Sequence, residues 1–118
     1  PARRVKARAA MKSFLFQNQA TSTGDGELLY VNKSDVITLE IYGTATSGTV
    51  VFEGLMPSGA YYSVRGIRLS DYNIANQSVL LNELWQIDTL GLVAFRARIS
   101  AVSGGYITVN SKVVNSNG

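Results

Sequence analysis

Any chemistry in this chain of 118 residues must start from carboxylates, hydroxyls and amines, because it holds no histidine and no cysteine. The missing histidine removes the usual neutral-pH general base and the commonest metal ligand. The missing cysteine removes thiolate nucleophiles, thiolate metal sites and disulfides. Three carboxylate pairs have the residue types for glycoside hydrolysis: Glu40 with Glu53, Glu83 with Asp88, and Asp25 with Glu27. Glu40 and Glu53 read as polar-face residues of strands, and Asp25 and Glu27 as turn residues. Ser–Lys chemistry would draw on Lys12 with Ser13, Lys33 with Ser34, or Lys112 with Ser111. Each pair is adjacent in sequence, and neighbours in a strand point to opposite faces, so none forms a nucleophile–base pair. Asp25-Gly26-Glu27 lacks the ligand spacing of a calcium loop, and Gly24-Asp25-Gly26 lacks the lysine and helix of a phosphate loop. No catalytic residue, metal site or cofactor is expected.

Binding is the chemistry that remains. Tyr61, Tyr62, Tyr72 and Trp85 could stack on a sugar; the competing reading is that Trp85 and some of the tyrosines fill or rim the core, or an interface between subunits. Charge offers a second handle. Residues 1–12 carry Arg3, Arg4, Lys6, Arg8 and Lys12 with no acid, whereas residues 13–118 hold the other six bases and all eight acids. A basic arm thus precedes a slightly acidic body, an asymmetry that suits an acidic protein surface or a neighbouring subunit. Nucleic acid is the less favoured partner, because the body interleaves no bases with aromatics. The basic start is followed by no apolar stretch of signal-peptide type, and no apolar run approaches the roughly 18 residues of a membrane-spanning helix. Neither a secretory leader nor a membrane partner is therefore expected.

The elements that would position these residues are strands. Residues 36–42 alternate, with Ile37, Leu39 and Ile41 on one face and Thr38, Glu40 and Tyr42 on the other. Residues 92–102 alternate likewise: Val93, Phe95, Ala97 and Ile99 face in, and Arg96, Arg98 and Ser100 face out. Further strands are expected over residues 9–17, 28–31, 49–55, 61–69, 79–88 and 106–114, with Gly66 marking a bulge. Turn residues separate them, as in Met56-Pro57-Ser58-Gly59 and Ser103-Gly104-Gly105. About eight strands at this spacing, with no convincing helix, predict an all-β fold. The expected form is a single antiparallel β-sandwich of jelly-roll or immunoglobulin-like type over residues 13–118, behind an extended basic N-terminal arm over residues 1–12.

Several stretches together carry a resemblance. They are Thr23-Gly24-Asp25-Gly26, Leu39-Glu40-Ile41-Tyr42-Gly43-Thr44, Gly48-Thr49-Val50-Val51-Phe52-Glu53-Gly54, and Ser58-Gly59 followed by Tyr61-Tyr62. Leu84-Trp85-Gln86-Ile87-Asp88, Phe95-Arg96-Ala97-Arg98-Ile99, and Gly104-Gly105 followed by Ile107-Thr108-Val109 complete the set. In this order they resemble small β-sandwich proteins of tailed bacteriophages, minor virion components of head, neck and tail, over about residues 21–114. The resemblance implies a non-enzymatic structural or accessory protein of the virion: a capsid decoration, neck or tail component, assembled in the host bacterial cytoplasm. Its partners would be other virion proteins and further copies of itself, with a trimer as one form. The alternative is a carbohydrate- or receptor-binding module of a tail or head fibre, using the surface aromatics.

Overall fold

The structure, a computed structural model, describes residues 10–32, 35–79 and 81–115. Twelve strands form in chain order among them: β1 (Ala10–Ser13), β2 (Gln17–Ala20), β3 (Leu29–Tyr30), β4 (Asp35–Gly43), β5 (Ser47–Leu55), β6 (Tyr61–Ser63), β7 (Gly66–Arg68), β8 (Ile74–Ala75), β9 (Gln77–Ser78), β10 (Glu83–Ile87), β11 (Ala94–Ser103) and β12 (Ile107–Asn115). They make two antiparallel sheets. One has seven strands in the order β1-β12-β4-β10-β7-β8, with β2 also on β12; the other has five in the order β3-β11-β5-β6, with β9 also on β5. No helix occurs among the described residues.

Alternation decides which side chains meet between the sheets. Ile37, Leu39 and Ile41 of β4 and Ile107, Val109 and Val113 of β12 come from one sheet, and Val50, Phe52, Phe95, Ala97 and Ile99 from the other. Each of these side chains larger than alanine, once fully buried, contributes about 1.5–3 kcal/mol. Phe52 of β5 packs edge-to-face on Trp85 of β10 at 5.1 Å between ring centroids, which ties the two layers together. A second aromatic contact, Phe16 on Phe95 at 5.5 Å, does the same beside β2. Gln17 of β2 reaches across the layers, its Nε2 donating to the Ala97 carbonyl of β11 at 2.9 Å and to the Gly24 carbonyl at 3.2 Å.

Twelve strands appear where eight were expected, because the chain changes sheets. Residues 61–69 divide into β6 in the five-stranded sheet and β7 in the seven-stranded one, with Val64 packed on the core at the crossing. The polar stretch after β7 crosses back, β8 pairing with β7 and β9 with β5. The expected strand over residues 9–17 breaks without a change of sheet: it gives β1 and the first residue of β2, both laid on β12. The register shift falls elsewhere than Gly66: it lies between Ile99 and Ala101 on β11 and between Ile107 and Val109 on β12. Gly66 is instead a point of close approach. A Cβ there would meet Ile87 Cδ1 at 2.8 Å, Phe52 Cε2 at 3.1 Å and Trp85 Cε3 at 3.2 Å. The Phe52–Trp85 contact therefore needs glycine at this position. Gly66→Ala should lower the unfolding free energy by about 1–3 kcal/mol. Chemical denaturation followed by Trp85 emission measures it, and an unchanged midpoint would contradict the packing described.

Candidate functional site

With the inner faces sealed, the outer faces are what this fold offers a partner. On the seven-stranded sheet the outward residues of β4, β10, β7 and β8 include Val36, Leu84, Ile67 and Ile74, all exposed. Ile67 stands opposite Gln86 on one side and Ile74 on the other. Val36, Ile67, Ile74 and Gln86, together with Arg65, Ile87 and Asp88, line a shallow groove of about 220 Å³ next to the short edge strand β8. A more polar hollow of about 280 Å³ lies elsewhere on this sheet, lined by Ser13, Thr38, Glu40, Leu84, Asn110, Ser111 and Lys112.

The hairpin from β7 to β8 is held by charge. Arg68 grips Asp71 with two bonds, Nε to Oδ1 at 3.0 Å and Nη2 to Oδ2 at 2.8 Å. Asp71 Oδ1 also accepts from the Asn73 amide at 3.1 Å. These bonds, Arg68's first, hold the Asp71 carboxyl at about 2, below its ordinary 3.8, and Asp71 in turn raises Arg68. The turn forces Tyr72 to φ 60°, where a bulky side chain costs about 1–3 kcal/mol, and leaves it 76% exposed. Below the hairpin, Glu83 Oε1 lies 3.3 Å from Arg68 Nε, and the Arg68 guanidinium sits 5.7 Å above the Trp85 ring. Glu83 Oε1 and Trp85 Nε1 are buried without a hydrogen bond.

The five-stranded sheet is different. Its outward residues form an ion network: Glu53 of β5 accepts from Arg96 Nη2 at 2.9 Å on one oxygen and from Arg98 Nε at 3.0 Å on the other. Arg96 also approaches Asp25 at 3.4 Å and lies flat on Tyr61, 3.5 Å from the ring centroid.

The sequence-derived candidates scatter over this frame. Trp85 is 1% exposed, so it belongs to the core and is removed from any surface platform. Its neighbours Leu84 and Gln86 take the outward positions on β10, which leaves the indole inside. Tyr61 and Tyr62 are consecutive on β6 and face opposite ways; Tyr61 is taken up by Arg96, and Tyr62 is exposed. Tyr72 stands on a hairpin of the other sheet. The four aromatics thus form no common stacking surface. Lys12 is exposed on β1, paired in register with Val113, so the sheet takes in residues 10–12 of the segment read as an arm. Arg3, Arg4, Lys6 and Arg8 lie outside the described residues. Glu40 and Glu53 belong to different sheets, which separates that carboxylate pair. The described residues contain no group of three or more carboxylates suited to a metal ion. Sequence reasoning placed Arg96 and Arg98 on an outward face and went no further; the signal it missed was Glu53 at the outward position of the paired strand.

Comparison with known proteins settles the family. The model of the XepA family matches residues 10–113. The chain belongs to the XepA family. Among its relatives, the phage-like element PBSX protein XepA of Bacillus subtilis (strain 168) is 30% identical over 112 residues. That alignment takes in 95% of this chain and 40% of XepA, so the chain spans less than half of that relative. The SPbeta prophage-derived protein YomS of the same bacterium is 29% identical over 103 residues, covering 87% of this chain and 86% of YomS. The crystal structure of YomS superposes with a TM-score of 0.85 at 28% identity, over 91% of this chain and 95% of that one. That of XepA, described as a PBSX exported protein, gives 0.87 at 28% identity, over 91% of this chain and 38% of that one. XepA-family relatives from two prophage elements agree with the bacteriophage origin that the sequence resemblance implies, and no enzymatic activity is named for XepA or YomS.

The Asp71 carboxyl has a depressed pKa, so its contribution to the hairpin is fully present above about 3.8 and is lost as pH falls through about 2. Carboxyl-carbon NMR should find its midpoint near 2, with the β7–β8 amides shifting together. A midpoint at the ordinary carboxylate value would show that Arg68 does not hold it.

Proposed function

We propose that this protein is a non-enzymatic phage accessory protein that works by assembly. Copies of the chain associate with one another, and the assembly docks on a larger phage particle as a decoration, neck or tail component. In this reading Arg3, Arg4, Lys6, Arg8 and Lys12 anchor it to a neighbouring subunit or an acidic surface. The observation that carries the proposal is the run of exposed aliphatics Val36, Leu84, Ile67 and Ile74 on adjacent strands of one outer face. Aliphatic side chains gathered on a sheet face are stabilised by covering them, at about 25 cal/mol per Å² removed from water. The strand β1 adds a second feature, since it is the end strand of its sheet and the basic segment leads directly into it. Such an edge can extend a sheet into a partner, and the positive segment would steer the encounter with an acidic one. The family supports the setting: XepA and YomS derive from phage elements, and the module makes up most of YomS.

Light scattering on the full chain tests the proposal. The expected mass is a multiple of the 12.7 kDa of one chain. Replacing Ile67 and Ile74 together by lysine should return it to one chain, with Trp85 emission unchanged because both side chains are outward. A wild-type mass of one chain across the concentration range would overturn the proposal. Alanine at Arg3, Arg4, Lys6 and Arg8 should weaken binding to phage particles and leave the fold intact; equal particle occupancy would remove the anchoring role.

A further inference from the structure

The outer face of the five-stranded sheet carries a cationic group held in position with four of its five N–H donors unused among the contacts of the described residues. Glu53 has both carboxylate oxygens engaged, by Arg96 and by Arg98. Its side chain is 12% exposed and that of Arg96 is 16% exposed. Arg96 cannot swing away easily: Tyr61 covers one face of its guanidinium, and Glu53 and Asp25 take its edges. Glu53 is thereby fixed, and Glu53 in turn fixes Arg98 through Nε.

Arg98 spends only that one N–H on the protein among the contacts of the described residues, and its side chain is 34% exposed. Its Nη1 and Nη2 groups carry four further N–H donors in a planar fork. The charge count points the same way. Two guanidinium groups share one half-buried carboxylate, which leaves one positive charge, and the further acid in contact, Asp25, touches Arg96 and is 62% exposed. Across the sheet from Arg98 stand Val51, 8% exposed, and then Gln77 of β9.

We propose that Arg98 is the receptor for an oxyanion, a carboxylate or a phosphate group of a partner, on the outer face of the five-stranded sheet. A carboxylate or phosphate presents two oxygens at the spacing of the guanidinium fork, and each accepts one of the free N–H groups. The Arg96–Glu53 clamp removes most of the side-chain ordering cost that a free surface arginine would bear. The site is separate from the aliphatic groove of the other sheet, so it stands or falls independently of the assembly proposal.

The test is NMR of the Arg98 Nε–Hε group in the full chain, titrated with sodium phosphate and with sodium acetate against sodium chloride at matched ionic strength. The expected result is a saturable shift with phosphate, acetate or both; in Arg98→Lys, which keeps the charge and loses the fork, the shift is read at the backbone amide of residue 98 in both proteins and saturates about tenfold more weakly. Saturation by phosphate alone assigns a phosphate-bearing partner, and saturation by acetate assigns a carboxylate. A shift that follows ionic strength alone, with all three salts alike, overturns the proposal and leaves Arg98 as a structural member of the ion network. The wild-type titration decides this even if the variant does not fold.

Discussion

The close approach of β7 to β10 and β5 is the constraint on which the rest of the structure depends. Gly66 lets Phe52 of one sheet meet Trp85 of the other with Ile87 alongside. A side chain at this point would hold the layers apart where the chain has just crossed from β6 in one sheet to β7 in the other. Once the crossing is fixed, β8 and the hairpin carrying Tyr72 are placed at the edge of the seven-stranded sheet, and β9 is returned to β5. The groove beside β8 is therefore a consequence of core packing, and so is the exposure of Ile67 and Ile74.

The two outer faces solve the problem of solvent differently. On the five-stranded sheet, Arg96, Arg98, Glu53 and Tyr61 cover the strands with their own stems and rings, which explains why Ala94 and Val51 are buried although they point away from the core. On the seven-stranded sheet, Thr38 and Gln86 stand beside the aliphatic side chains with no such ion network among the described residues, and Val36, Ile67 and Ile74 stay open to water. One face is finished within the chain, apart from the free fork of Arg98; the other is open. That contrast, in a family whose relatives XepA and YomS come from prophage elements, is what favours a protein acting through its surfaces.

Much of this frame was legible in the sequence. β4, β11 and β12 alternate cleanly because each buries one face against the opposite sheet, and residues 36–42, 92–102 and 106–114 fall on them within a few positions. The sheet changes were not legible. Residues 61–69 keep a strand-like composition through the crossing, and the pattern has no means of showing that Ser63 and Gly66 belong to different sheets. Gly66 was visible as an exception, but close packing and a bulge leave the same mark on a sequence. Side-chain partnerships were the least legible of all. Trp85, with Leu84 and Gln86 flanking it, keeps a surface-aromatic reading beside the core one until the strand is placed in a sheet, and Glu53 meets Arg96 and Arg98 only through the register of β5 on β11.

The central claim is that the edge and outer face of the seven-stranded sheet are covered when copies of the chain assemble. Hydrogen exchange on the full chain at low and high protein concentration tests it most directly. Exchange at the amides of β7, β8 and their hairpin should slow as concentration rises, while the amides of β4 and β11, already locked inside their sheets, stay the same. Exchange that is independent of concentration at β7 and β8, or that slows by the same factor throughout the chain, would contradict the account.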